Sequence, residues 1–187
     1  MITVIIDGYN FIFNSYFKIN VKSEKLQELR NNTIILLSRY YNVKKNKVIV
    51  VFDGYLTQEP FESKYNIGNI EVIYSKRGEK ADAVIMRIAE NIRNSLVVTN
   101  DNEIKRYVER LDNVSSISPE EFKVIINNII SEEEDEGNYS NDYDFTACDG
   151  DDEFCGGHEH SKNTKKKGNP HRLSKKERLK MRKIKKL

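Results

Sequence analysis

Four aspartates stand where an apolar run stops. Asp7 follows ITVII, Asp53 follows VIVVF, Asp101 follows VVTN, and Asp82 lies in RGEKADAVI with Glu79 just before it. Asn10 and Asn100 are close enough in sequence to join them. Carboxylates brought together repel one another, and protonation or a cation relieves the repulsion. With oxygen donors and neither His nor Cys in the set, the matching cation is Mg²⁺ or Mn²⁺ rather than zinc. A divalent ion held by such acids positions a phosphodiester, lowers the pKa of an attacking water and stabilises the leaving oxygen, which is metal-dependent nuclease chemistry.

The elements that must position these acids are legible as patterns. ITVII (2–6), VIVVF (48–52), IEVIY (70–74), LVVT (96–99) and VSSI (114–117) are short β-branched runs with little polar alternation, the signature of strands covered on both faces. Between them lie amphipathic stretches with apolar faces at Leu26, Leu29, Leu36, Leu37 and Tyr40, at Ala81, Ile85, Ile88 and Ile92, and at Ile104, Val108 and Leu111. Ser118, Pro119 and Glu121 spell a capping box with proline at the first helical position, ahead of Phe122, Ile125, Ile126 and Ile129. The expectation is an α/β fold with an open parallel sheet of about five strands flanked by helices. Ligands bind such sheets beyond the carboxyl ends of the strands, so this topology brings Asp7, Asp53, Asp82 and Asp101 to one rim.

Each acid also has a plainer reading. Asp53-Gly54 is ordinary turn chemistry, Asp82 complements a helix dipole, and Asn100-Asp101 can cap the following helix. Asp7, at the end of a buried strand, is harder to dismiss in this way, and although each signal is weak singly, the convergence of all four favours a site. Other α/β chemistries fit less well. No GxGxxG follows the first strand, no GxxxxGK[ST] is present, no nucleophile elbow surrounds a Ser, and Tyr9 stands where an aspartyl-phosphate hydrolase of the haloacid type needs a second Asp.

Charge divides the chain. Residues 1–130 carry 18 Lys/Arg and 16 Asp/Glu, residues 131–160 carry 0 and 12, and residues 161–187 carry 13 and 1. Blocks of like charge bury too little apolar surface to offset ordering entropy, so a domain over 1–130 is expected to precede a disordered acidic linker at 131–160 and a basic tail at 161–187. The first apolar run is short, lacks a basic lead and is broken by Asp7, so no signal peptide is read; no run reaches a membrane span, and two cysteines give no disulfide framework. A cytoplasmic location is expected.

IIDGYNFI, VIVVFDG, GEKADAVI and VVTND, in that order and at those distances, resemble the NYN domain of YacP-like proteins, a branch of the PIN-like nuclease superfamily that includes a bacterial ribosome-associated endoribonuclease. The resemblance covers about residues 1–130. It implies a PIN-like fold and a metal-dependent endoribonuclease with an acidic centre holding Mg²⁺ or Mn²⁺. Asp7 with Asn10 beside it, Asp82 with Glu79 before it, and Asp101 fall on the family's acidic positions, and Asp53 on the acid ending the second strand. There are departures: the family tends to read A-D-x-x-I-E where this chain reads ADAVIM, so Met86 replaces a carboxylate, and T-S-D becomes Thr99-Asn100-Asp101.

A phosphate-bearing substrate needs cations near the acids. Lys76, Arg77 and Lys80 beside Asp82, and Lys105 and Arg106 after Asp101, are the candidate RNA contacts, and Tyr9 and Phe11 are candidates to stack on a base, with a place in the core the plainer reading of Phe11. The basic tail, with helical character from Ser174 onward, can attract RNA or ribosomal surface by counterion release and fold on binding it. The acidic block could pair with that tail when RNA is absent. Cys148, Cys155, His158 and His160 have a spacing that matches no usual zinc finger, so a metal-free segment is expected there. The expected function is cleavage of single-stranded RNA, with mRNA on ribosomes as one setting. Asp7, Asp82 and Asp101 serve as ligands, Asp53 as ligand or positioner of the attacking water, and Asn10 as a polar holder of the site. Two rivals stand beside it: an RNA- or ribosome-binding protein acting through its basic tail, and a structure-specific DNA nuclease.

Overall fold

A computed structural model describes residues 1–15, 23–54, 61–136 and 174–187. The sheet has strands β1 (Thr3–Asp7), β2 (Lys47–Phe52), β3 (Ser63–Ile67), β4 (Ile70–Tyr74), β5 (Ser95–Val98) and β6 (Val114–Ile117) in the order β3-β4-β2-β1-β5-β6. All neighbours are parallel except β3, which runs antiparallel to β4. β1 is central, with Asp7 opposite Val51 and Ile6 opposite Val98.

The helices are α1 (Gly8–Ser15), α2 (Ser23–Lys44), α3 (Ala81–Asn91), α4 (Asn102–Val108), α5 (Pro119–Glu136) and α6 (Lys175–Ile184). The two-residue side-chain period of a strand divides its residues between two cores. Val4 and Ile6 of β1 with Val48, Val50 and Phe52 of β2 join Phe11, Leu37 and Phe122 in one core. Ile5, Ile49 and Val51 face Val84 and Ile85 of α3 and Ile104 and Val108 of α4 in the other. Burial on both faces is why these strands read as continuous apolar runs.

Three features differ from the sequence expectation. The sheet has a sixth, edge strand, because SKYNI is polar and half-exposed and lacks a buried strand's composition. Its signal was the two-residue Gly68-Asn69 connection, with Gly68 at φ 59 and Ile67 paired to Ile70. A further helix, α1, starts directly after Asp7 and buries Phe11 and Ile12.

The third difference lies at the end of the chain. α5 continues past Ile130 to Glu136, and residues 174–187 fold back as a helix instead of forming a free basic tail. Ser174 and Glu177 form a capping box, Leu187 is buried in the core that contains Val4 and Ile6, and Asn46 Nδ2 donates to the Lys186 carbonyl at 3.0 Å. Lys183 is 2% exposed, and its Nζ donates to the carbonyls of Ser95, at 2.8 Å, and Asn113. A few apolar residues and one satisfied amine thus anchor a helix whose remaining cations stay solvated. Its anchors lie at the starts of β2, β5 and β6, at the pole of the sheet opposite the strand ends that carry Asp7 and Asp53. Cys148, Cys155, His158 and His160, and most of the acidic block, lie outside the described residues.

Candidate functional site

Asp7 is the last residue of the central strand and only 7% exposed. Its Oδ1 accepts from the backbone N–H of Asn10 at 3.2 Å and its Oδ2 from Thr99 Oγ1 at 3.2 Å. Burial is the largest influence on this carboxyl, and repulsion from Asp82 and Asp101 adds to it; against the two hydrogen bonds, they push it from 3.8 up to about 6. Gly8 lets the chain turn into α1 here, since a Cβ at that position would lie 2.3 Å from the Phe52 ring.

Asn10 ties β1 to the segment after β5. Its Oδ1 accepts from Asn100 N at 3.0 Å and from Asn14 Nδ2 at 2.9 Å. Thr99 Oγ1, while donating to Asp7, accepts from Asp101 N at 3.0 Å. Asp101 is the N-cap of α4, its Oδ1 accepting from Glu103 N at 2.6 Å and Ile104 N at 3.3 Å. The capping role read from sequence and a place at the site coexist, because both cap bonds use one carboxylate oxygen.

Asp82, in the first turn of α3, is half-buried. Burial raises its pKa most, followed by Asp101; Lys80 opposes, and Glu103 and Asp53 add to the rise. Asp53 follows β2, and its partner in the Asp-Gly pair answers to packing: a Cβ on Gly54 would lie 1.7 Å from the Ser75 carbonyl oxygen. Glu79 lines the same groove as Asp82 and is bridged to Arg87 at 2.7 Å, which also pairs with Glu62.

The candidate cations divide into groups. Lys76 and Lys80 line a groove of about 450 Å³ with Asp82, Met86 and Glu103. Met86 and Glu103 continue it into a hollow of about 410 Å³ lined by Arg106, Tyr107 and Arg110. Lys105 Nζ donates to Asn100 Oδ1 at 3.2 Å, while Arg77 lines neither groove. Sequence reasoning passed over Arg110 and Glu120; Glu120 receives both Asn100 Nδ2 hydrogen bonds at 3.0 Å. Nothing local marks either residue. Thr99 was visible beside Asp101, but its bond to Asp7 spans 92 residues of sequence.

Among the described residues, no group of three or more His, Cys, Asp and Glu side chains is close enough together to hold a metal ion. The donor chemistry is of the kind that suits Mg²⁺ or Mn²⁺: all four side chains offer carboxylate oxygens, and besides burial the Asp7 pKa is raised by repulsion from Asp82 and Asp101, which a cation would relieve. Mg²⁺ keeps several of its waters and binds through one or two carboxylates together with substrate phosphates, so it does not require a dry protein cage.

Comparison with known proteins agrees with this fold. A crystal structure of Rae1 (YacP) from Bacillus subtilis is 26% identical with a TM-score of 0.60, covering 73% of this chain and 80% of that one. A crystal structure of a single-residue mutant of Rae1 is 22% identical with a TM-score of 0.59, over 75% and 87%, a likeness of fold. The uncharacterized protein YacP of Bacillus subtilis (strain 168) is 33% identical over 91 residues, 49% of this chain and 53% of that protein. The match thus spans about half the length of that curated relative. The YacP-like NYN domain family matches residues 4–186, a range that includes α6. On that match and this fold, the chain belongs to the YacP-like NYN domain family, whose fold is of nuclease type.

Proposed function

We propose that this protein is a cytoplasmic, metal-dependent endoribonuclease that cleaves single-stranded RNA. The observation that carries the reading is Asp7: a carboxyl buried at the end of the central strand, raised by burial and by two acids from other elements, in a chain of nuclease-type family. Asp7, Asp82 and Asp101, with Asp53, would hold Mg²⁺ or Mn²⁺, which when bound supplies charge to the scissile phosphate and acidifies an attacking water. The chain's own residues do the rest. Thr99 and the Asn10 N–H orient the Asp7 carboxylate, Asn10 fixes the Asn100 backbone, and Lys76 and Lys80 offer charge to the phosphates along the groove beside Asp82. Lys105, Arg106 and Arg77 add positive charge nearby.

Incubation of labelled RNA and DNA with Mn²⁺ or with chelator, beside Asp7→Asn, tests this. Metal-dependent RNA cutting that disappears in Asp7→Asn is the expected result; DNA cutting instead would favour a structure-specific DNA nuclease.

A second reading has its own observations. Met86 lines the groove where the family tends to carry a carboxylate, and α6 with the residues after it exposes Lys175, Lys176, Arg178, Arg182, Lys185 and Lys186 at the opposite pole. These support a non-catalytic RNA- or ribosome-binding protein. In that case binding depends on the α6 cations and no cutting occurs with any metal.

A further inference from the structure

A row of aromatic rings borders the acidic rim. Phe13 stacks on Tyr9 with centroids 6.1 Å apart, Tyr9 meets Phe52 edge-on at 5.2 Å, Phe52 stacks on Tyr74 at 5.5 Å, and Tyr74 meets Tyr65 edge-on at 6.3 Å. The middle of the row is packed, with Phe52 fully buried, but its ends are open. Phe13 is 52% exposed and Tyr65 51%. Its position follows from the chain: Tyr9 is two residues past Asp7, Phe52 directly precedes Asp53, and Tyr74 is two residues before Lys76.

Behind the three central rings lies Arg30 of α2, 8% exposed. Its guanidinium carbon is 5.3 Å from the Tyr9 centroid, 5.8 Å from Phe52 and 5.9 Å from Tyr74. It donates to Gln27 Oε1 at 2.9 Å and to the Tyr9 hydroxyl, while its Nε has no hydrogen-bond partner. No carboxylate forms an ion pair with it among the described residues. A buried cation with no ion-pair partner among the described residues is costly as mere packing, since a methionine or leucine would fill the same volume without desolvating a charge. It does, however, set a fixed positive charge behind the packed middle of a row whose two end rings open toward the solvent.

A row with open rings at both ends and a cation behind its packed middle, beside acids suited to a phosphodiester, matches one chemical partner: a strand whose bases are unpaired and whose backbone is anionic. Paired bases are hidden within their own stack, whereas unpaired ones stack on protein rings regardless of sequence. We propose that the row from Phe13 through Tyr9 to Tyr65, backed by Arg30, is a stacking shelf for unpaired bases of the RNA strand held at the acidic rim. This rests on the reading of the protein as an RNA-cutting enzyme, names the substrate feature it selects, and gives a single-strand preference a structural origin.

The test separates the two claims. Binding of the full chain to a labelled single-stranded RNA, and to the same strand with abasic positions throughout, is measured by fluorescence anisotropy with chelator present, so that nothing is cut. The wild-type protein binds the base-bearing strand more tightly, and Phe13→Ala and Tyr65→Ala each reduce that preference by about tenfold, the scale of one lost stacking contact. Affinity for the abasic strand is unchanged, and Phe13→Trp restores the preference. Equal binding of both strands by the wild type overturns the shelf, as does an undiminished preference in Phe13→Ala and Tyr65→Ala. Lowered melting temperatures with an intact preference mark a purely structural cluster and overturn it as well. A wild type that cuts no RNA with Mn²⁺ but loses base preference in Phe13→Ala sinks the nuclease reading and keeps the shelf; Asp7-dependent cutting without base preference does the reverse.

Discussion

Thr99 and Asp7 are joined side chain to side chain at the carboxyl ends of adjacent strands: the Thr99 hydroxyl donates to Asp7 Oδ2 at 3.2 Å while accepting from Asp101 N at 3.0 Å. One hydroxyl therefore orients one acid and fixes the backbone of another. It also holds the Asp7 pKa below where burial alone would set it.

Thr99→Val keeps the shape and removes both bonds. A hydrogen bond to a charged group contributes roughly 1.5–3 kcal/mol, so cutting of RNA at pH 7 is expected to fall about tenfold or more. The acid limb of its pH profile moves to higher pH, because Asp7 loses a donor that favours its charged form. Thr99→Ser restores both. An unmoved profile in Thr99→Val would show that the hydroxyl does not act through Asp7.

Asp7 gives a stability prediction for the metal-free protein. Its pKa is about 6 when folded against an ordinary 3.8, so between these values the folded state holds the additional proton. Stability is therefore greatest below pH 4 as far as this group is concerned, and is lost as pH rises through 6. Asp7→Asn is expected to be more stable than wild type at pH 7.5 by up to about 3 kcal/mol, the difference narrowing toward pH 4. Denaturant unfolding with chelator at both pH values measures it; a constant difference would contradict the prediction.

The two glycines of the hairpin and of the Asp-Gly pair should respond differently to alanine. At Gly54 a Cβ meets backbone, the Ser75 carbonyl oxygen at 1.7 Å, and Gly54 N donates to Ser75 Oγ at 3.0 Å. Gly54→Ala should cost about 2–4 kcal/mol through displaced backbone. Gly68 faces open space and meets only the strain of φ 59, so Gly68→Ala should cost about 1 kcal/mol. Thermal melts of the two variants decide the order.

Lys183 links pH to the C-terminal helix. Burial pushes its amine from 10.5 down to about 8. Between those values the unfolded chain binds more protons, so the stability associated with Lys183 rises as pH climbs from 8 toward 10.5. Lys183→Met removes that dependence. The stability of wild type relative to Lys183→Met should accordingly increase from pH 7.5 to pH 9.5; a flat difference would mean that the amine is not buried when the protein is folded.

What the sequence by itself determined is local. The five β-branched runs form β1, β2, β4, β5 and β6 to within a residue, since a strand covered on both faces is apolar at most of its positions. The Asp residues follow strands or open a helix because adjacency along the chain fixes that much. What the tertiary structure decided is nonlocal. SKYNI becomes a strand only because β4 offers it an edge, and Arg30, beside the apolar Leu29, becomes a buried cation only because three strand-end and helix rings close over it. α6 reads as solvated charge until Leu187 and Lys183 find a place beneath the sheet. Composition registers the mean character of a segment, whereas docking depends on two or three residues meeting partners far away in the chain. For the same reason the sequence named Asp7 and Asp101, and only the fold put Thr99 between them.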